Sequence, residues 1–128
     1  MPKNNALGPV LATGLAALVL MGAPQAAHAA SFDGNWSVVI ITDSGTCDRA
    51  YRYPVRVVNG QIRYQGEAGV LINGRVDASG RLKATISRGD SRASGTGRLS
   101  RSSGAGTWSG KSSNQVCSGH WQAERREG

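Results

Sequence analysis

The chain is 128 residues long, with 15 Lys and Arg against 8 Asp and Glu and a formal net charge of +7. About 98 residues follow the first thirty, enough for one small domain with a limited core. A chain this basic is drawn to anionic partners such as surface sugars, lipid headgroups or loose nucleic acid.

The first residues read as a leader. Lys3 supplies a positive start, Gly8 to Gly22 is an apolar run, and Ala27-His28-Ala29 is a small-x-small cleavage signal. The run falls short of the ~20 apolar residues a membrane span needs. We therefore place a signal peptide at 1–29 and a single β-barrel domain at 30–128, exported to the periplasm or the extracellular space. No second apolar run follows, so no transmembrane anchor is expected once the leader is removed. Losing Lys3 leaves 14 Lys and Arg against 8 acids, near +6, and 12 of the 14 are Arg.

Cys47 and Cys117 are the only cysteines, and both follow the leader. In an oxidising compartment they are expected to pair. Closing that loop should stabilise a small domain by about 4 kcal/mol in the chain-entropy model. With so few thiols and imidazoles, no zinc site and no cofactor are expected.

Beyond the leader the chain reads as strands. The first, Phe32 to Thr42, points Trp36, Val38 and Ile40 one way and Val39 and Ile41 the other. The second, Ala50 to Val58, has Tyr51, Tyr53, Val55 and Val57 inward, with Pro54 on the outer set. Asn59-Gly60 is a strong type I′ turn signal. It sets Val57 opposite Ile62, Val55 opposite Tyr64, Tyr53 opposite Gly66 and Arg52 opposite Glu67, a predicted ion pair. It also faces Arg56 with Arg63, although facing like charges destabilise a ladder.

From Val70 to Leu99 apolar or small residues alternate with polar ones at period two, the mark of strands with one buried face. The turn at Ala78-Ser79-Gly80 sets Val76 opposite Leu82 and Arg75 opposite Lys83. That at Gly89-Asp90 sets Ile86 opposite Ala93. Past Ser103-Gly104, Trp108 is expected opposite Leu99. A polar loop from Gly110 to Val116 then leads to a last strand with Cys117, Gly119, Trp121 and Ala123 inward and a frayed, charged tail.

Eight strands in hairpin order predict an all-β, antiparallel up-and-down barrel, with an open sheet or two-sheet sandwich as the alternative. Closure removes both edges. It also brings Cys47, after the first strand, beside Cys117, which opens the eighth.

Candidate sites follow from the two faces. Outward, Arg56, Arg63, Arg75, Lys83, Arg92 and Arg98 form a candidate anion-binding surface, since arginine forks suit carboxylate, sulfate and phosphate. Inward, Trp36, Tyr51, Tyr53, Tyr64, Trp108 and Trp121 either fill the barrel or line a ligand pocket. The expectation is a filled barrel. No catalytic residues are assigned: His120 is the one histidine past the leader, and no serine sits in a Gly-x-Ser-x-Gly elbow. Asp33, Asp43, Asp48 and Glu124 could meet at one end, though no spacing demands it. Arg88-Gly89-Asp90 matches an adhesion tripeptide, yet its Gly and Asp are what a turn itself prefers.

Gly34-Asn35-Trp36 on the first strand, with Arg125 late in the last, resembles the Gly-x-Trp and late-Arg pattern of lipocalin and calycin barrels. In size, leader, single disulfide and early Gly-x-Trp the chain is similar to small exported bacterial barrels, the metalloprotease inhibitors of Gram-negative bacteria among them. Its cysteines lie further apart than theirs, and no inhibitor-like arm precedes Phe32. The expected function is a non-enzymatic binding module whose basic outer face meets anionic surface polysaccharide or lipid headgroups. A specific nucleic acid partner is not expected, because that face lacks aromatics. The alternatives are a small-ligand carrier using the barrel interior and an inhibitor of an extracytoplasmic protease.

Overall fold

The computed structural model describes residues 31–64 and 66–126, so the signal-peptide reading lies outside the described residues. The alternating segments form eight strands: β1 (Gly34–Ser44), β2 (Ala50–Val58), β3 (Gln61–Arg63), β4 (Val70–Val76), β5 (Arg81–Arg88), β6 (Ser91–Leu99), β7 (Ser103–Ser112) and β8 (Gln115–Arg126). Each pairs antiparallel with the next, and β8 returns to β1, closing the barrel. The apolar set points inward and most strand charges outward, the reverse of a transmembrane barrel; Arg88 and Arg125 belong to the inward set.

Turn chemistry fixes the register. Asn59 and Gly60 take φ of 52° and 77°, the two left-handed positions a type I′ turn requires. Val57 then faces Ile62, and Arg56 faces Arg63. At the next hairpin the Asp77 carboxylate accepts the N–H groups of Ser79 and Arg81 and the Ser79 hydroxyl. This Asx-type closure sets Val76 against Leu82 and Arg75 against Lys83. Gly89, with φ of 56°, turns β5 into β6 and sets Ile86 against Ala93.

Several expectations are corrected. The β2–β3 ladder ends at Arg56–Arg63, so Val55 and Tyr64, and Tyr53 and Gly66, do not pair. Past Arg63 the chain leaves the sheet, and the Tyr64 ring itself folds over Gly66. Glu67 thereby swings to the end of β5 and pairs with Arg88 at 2.8 Å, while Arg52 donates to the Ser37 hydroxyl at 2.9 Å. Leu99 faces Gly104, and Trp108 faces Gly95. The reason is a tighter turn, closed by the Ser100 N–H on the Ser103 carbonyl at 2.7 Å. The indole thus lies over a glycine rather than against the crowded end that holds Leu99. In place of a long polar loop, β7 runs to Ser112 and turns at Ser113-Asn114, Ser113 having φ of 52°. The strand part of the tail is not frayed: Arg125 pairs with Trp36, and β8 continues to Arg126. At the other terminus β1 begins at Gly34 rather than Phe32.

The core is concentrated at one end. Trp36, Val57, Val76, Leu82, Leu99, Trp121 and Ala123 form the buried cluster, with Phe32 packed against it. This closed end carries the β2–β3, β4–β5 and β6–β7 turns. The opposite end carries the other four connections and the disulfide. Cys47 and Cys117 are bonded across the β1–β8 seam with Cα atoms 6.2 Å apart, and Cys117 is 1% exposed.

Candidate functional site: a hollow end and a cationic wall

Above the core the barrel is hollow. A cavity of about 340 Å³ runs from Trp36 toward the open end, within the usual range for small-molecule sites. The expectation of a filled barrel therefore holds only at the closed end. The vacancy has a local cause: Gly95, Ala93 and Gly110 supply little or no side chain to the wall where β6 and β7 face the interior. Ile40, Tyr53, Ile72, Ile86 and Trp108 supply apolar and aromatic surface around it.

Five of the six interior candidates line this space. Trp36, 2% exposed, is the floor, with Trp121 beside it; Tyr53 and Trp108 form the walls, and Tyr51, 38% exposed, stands at the mouth. Tyr64 does not reach it. Its ring meets Tyr53 edge-on at 5.6 Å, and its hydroxyl accepts the Glu67 N–H at 3.0 Å.

Two tryptophans are fixed by long reaches. The Trp121 indole passes over Gly106 on β7 to donate to the Thr96 carbonyl on β6 at 3.1 Å. The Trp108 indole passes over Gly119 on β8 to donate to the Ile41 carbonyl on β1 at 2.9 Å. A Cβ on Gly106 would lie 2.6 Å from the Trp121 Nε1, so glycine is required there.

The mouth is polar. Tyr51 donates to Asp48 at 2.6 Å, Ser91 and Ser112 hydroxyls share a 2.8 Å bond, and Thr46 bonds to Gln115. Arg88 belongs to the inward set of β5 and lines the cavity from this rim. The Asp48 hydrogen bond, with partial burial, pushes the Tyr51 phenol above its ordinary pKa of 10.0, while burial does the same for Tyr53. Arg88 opposes both shifts, which places its charge among these rings. In the sequence Arg88 stands in a turn tripeptide, and the even-numbered parity of β5 is the signal that sets it inward.

At the closed end Asp33 caps the Asn59-Gly60 turn by accepting both N–H groups at 2.9 and 3.2 Å. The Arg125 guanidinium lies 4.8 Å from the Trp36 ring centroid and donates to the carbonyls of Ser31, Asp33 and Arg101. The Gly-x-Trp and late-Arg residues thus meet physically.

The outer candidates occupy a continuous wall. Arg56 faces Arg63, Arg75 faces Lys83, and two further cation pairs join them: Arg98 faces Arg81, and Arg92 faces Lys111. All eight are exposed. The carboxylates do not gather: Asp33 and Glu124 lie toward the closed end, while Asp43 and Asp48 lie at the open one. His120 holds Asp43 through Nδ1 at 2.7 Å, and no serine, threonine or cysteine hydrogen-bonds to it among the described residues.

No family model matches the chain, and no curated protein or solved structure matches it either.

Proposed function

We propose that the protein is an exported, non-enzymatic barrel that carries a small apolar or amphiphilic molecule inside its open half. The cavity of about 340 Å³ carries this reading, because a barrel serving only as a scaffold gains stability by filling such a space. Apolar walls would hold the body of the ligand. The polar rim, with Arg88 as its inward cation, would receive a carboxylate or other anionic head in place of Glu67.

Fluorescence titration with 8-anilinonaphthalene-1-sulfonate tests the site. The probe should gain saturable emission and change that of Trp108. Ala93→Phe, which places a ring in the vacancy, should abolish this signal while the melting temperature holds or rises. Binding unchanged in a folded Ala93→Phe variant would show that the interior is not the site. Native mass spectrometry of protein from its own host should show an added mass that Ala93→Phe lacks.

A further inference from the structure

The outer wall is one-signed. On their outward set, strands β2 to β7 present nine exposed cations, Arg52 and the four facing pairs, Arg88 belonging to the inward set, and those strands contain no carboxylate. Facing like charges destabilise a ladder. No salt bridge among the described residues neutralises them, although Arg81 lies in the field of Asp77 at the β4–β5 turn: Arg56 turns to the Asn35 amide oxygen at 3.4 Å, and Arg63 to that of Gln61 at 2.9 Å. Among the described residues the ion pair is Arg88–Glu67, and His120 bonds to Asp43; neither contact is on this wall.

The wall also has a second pattern. Asn73, Thr85, Ser94, Ser109 and Ser118 are successive cross-strand partners, forming a strip of amide and hydroxyl groups across β4 to β8. Neighbours in such a strip stand about 4.8 Å apart. Two residues toward the closed end lie Arg75 and Lys83; two residues toward the open end lie Arg92 and Lys111. Each flank is therefore about 7 Å from the strip.

We infer that this wall binds an acidic polysaccharide laid across the strands, with sugar hydroxyls on the strip and carboxylates or sulfates on the flanking cations. Curvature favours a flexible chain over a bilayer. The cations extend over six of the eight strands, and a plane touches a convex tube along only a narrow face. Chemistry disfavours single-stranded nucleic acid, which needs aromatic stacking platforms; the aromatic side chains of β2 to β7, Tyr51, Tyr53 and Trp108, belong to the inward set. The surface and the cavity use opposite faces of the strands and share only Arg92, Ser94 and Lys111, so the Arg75–Lys83 flank can be lost without the cavity.

The test measures binding of the disulfide-bonded protein to three probes: alginate, phosphatidylglycerol vesicles and poly(dT). Alginate should bind best, weakening about tenfold or more between 50 and 200 mM salt. Arg75→Ser with Lys83→Ser should cut alginate affinity about tenfold while the melting temperature holds or rises. The charge-neutral pair Thr85→Val with Ser94→Ala should weaken it about threefold, a loss that charge alone does not produce. Ala93→Phe should leave it intact. The inference is overturned if vesicles or poly(dT) bind as tightly as alginate, if the Arg75/Lys83 variant keeps wild-type affinity, or if the Thr85/Ser94 variant does. Should a variant fail to fold, Arg92→Ser with Lys111→Ser removes the other flank and is read the same way.

Discussion

Arg125 shows how much one side chain can organise. Its guanidinium stacks on Trp36, and its N–H groups hold the chain ahead of β1 together with the β6–β7 turn. Lysine has no planar fork and makes fewer directed bonds. Arg125→Lys should therefore destabilise almost as much as Arg125→Ala, by about 2–4 kcal/mol in urea unfolding, given the worth of charge-assisted hydrogen bonds and a desolvated cation–π contact. Rescue by lysine would show that charge alone matters. At the other end Tyr51 and Tyr53 titrate above 10.0 in the fold. The folded state holds these protons more tightly than the unfolded chain does, so their contribution is complete below about pH 10 and is lost as pH rises through their folded values. Absorbance titration should show Tyr51 and Tyr53 ionising late, with the melting temperature falling over the same range. Tyr51→Phe should remove one late step.

Among the elements, the β6–β7–β8 wall concentrates glycines set by neighbours rather than by turns. Gly106 lies beneath the Trp121 indole, with Gly97 beyond it and the Thr96 carbonyl as the destination. Gly106→Ala should cost about 3 kcal/mol by overpacking and shift the emission of Trp121. Gly89→Ala has open space around it and should cost only about 1 kcal/mol, for its left-handed backbone. Measured by chemical denaturation, equal costs would mean that the indole and the β6 backbone at Thr96 and Gly97 can both give way. The same elements show what was legible in the sequence. Strands joined by two-residue or Asx-closed turns, such as Asn59-Gly60 and Asp77–Gly80, declared their register, because the turn chemistry and the alternation each demanded it. The Ser100–Ser103 hairpin did not: it offers several Ser and Gly positions, and a shift of two pairs keeps every inward residue inward, so parity could not choose. The Arg52–Glu67 pairing failed because a three-residue strand does not carry its register into the loop beyond it. The Asn59-Gly60 turn predicts an aromatic opposite a glycine at Tyr53 and Gly66; the structure has that arrangement at Trp108 and Trp121 instead. The cavity was illegible for a related reason, since whether small residues leave a hole or are filled from across the barrel depends on which rings the register brings opposite them.

For the molecule as a whole, the division between a packed end and a hollow end decides what the disulfide is for. The cluster around Trp36, Leu99 and Trp121 secures the closed end without it. At the open end the interior lacks packing, and β1 carries a bulge between Thr42 and Ser44 on its β8 side. The Cys47–Cys117 bond lies beside that bulge and encloses a sequence separation of 70, worth about 4 kcal/mol in the chain-entropy model. Reduction should therefore lower global stability by about that amount and act unevenly before unfolding. Amide hydrogen exchange should quicken first at Ile41, Gly119 and their neighbours, while Val57 and Leu99 remain protected to the global limit. Uniform acceleration throughout the barrel would mean that both ends unfold as one unit. Because the loosened residues surround the cavity mouth, reduction should also weaken 8-anilinonaphthalene-1-sulfonate binding more than alginate binding, whose strip is held by the long β4–β8 ladders.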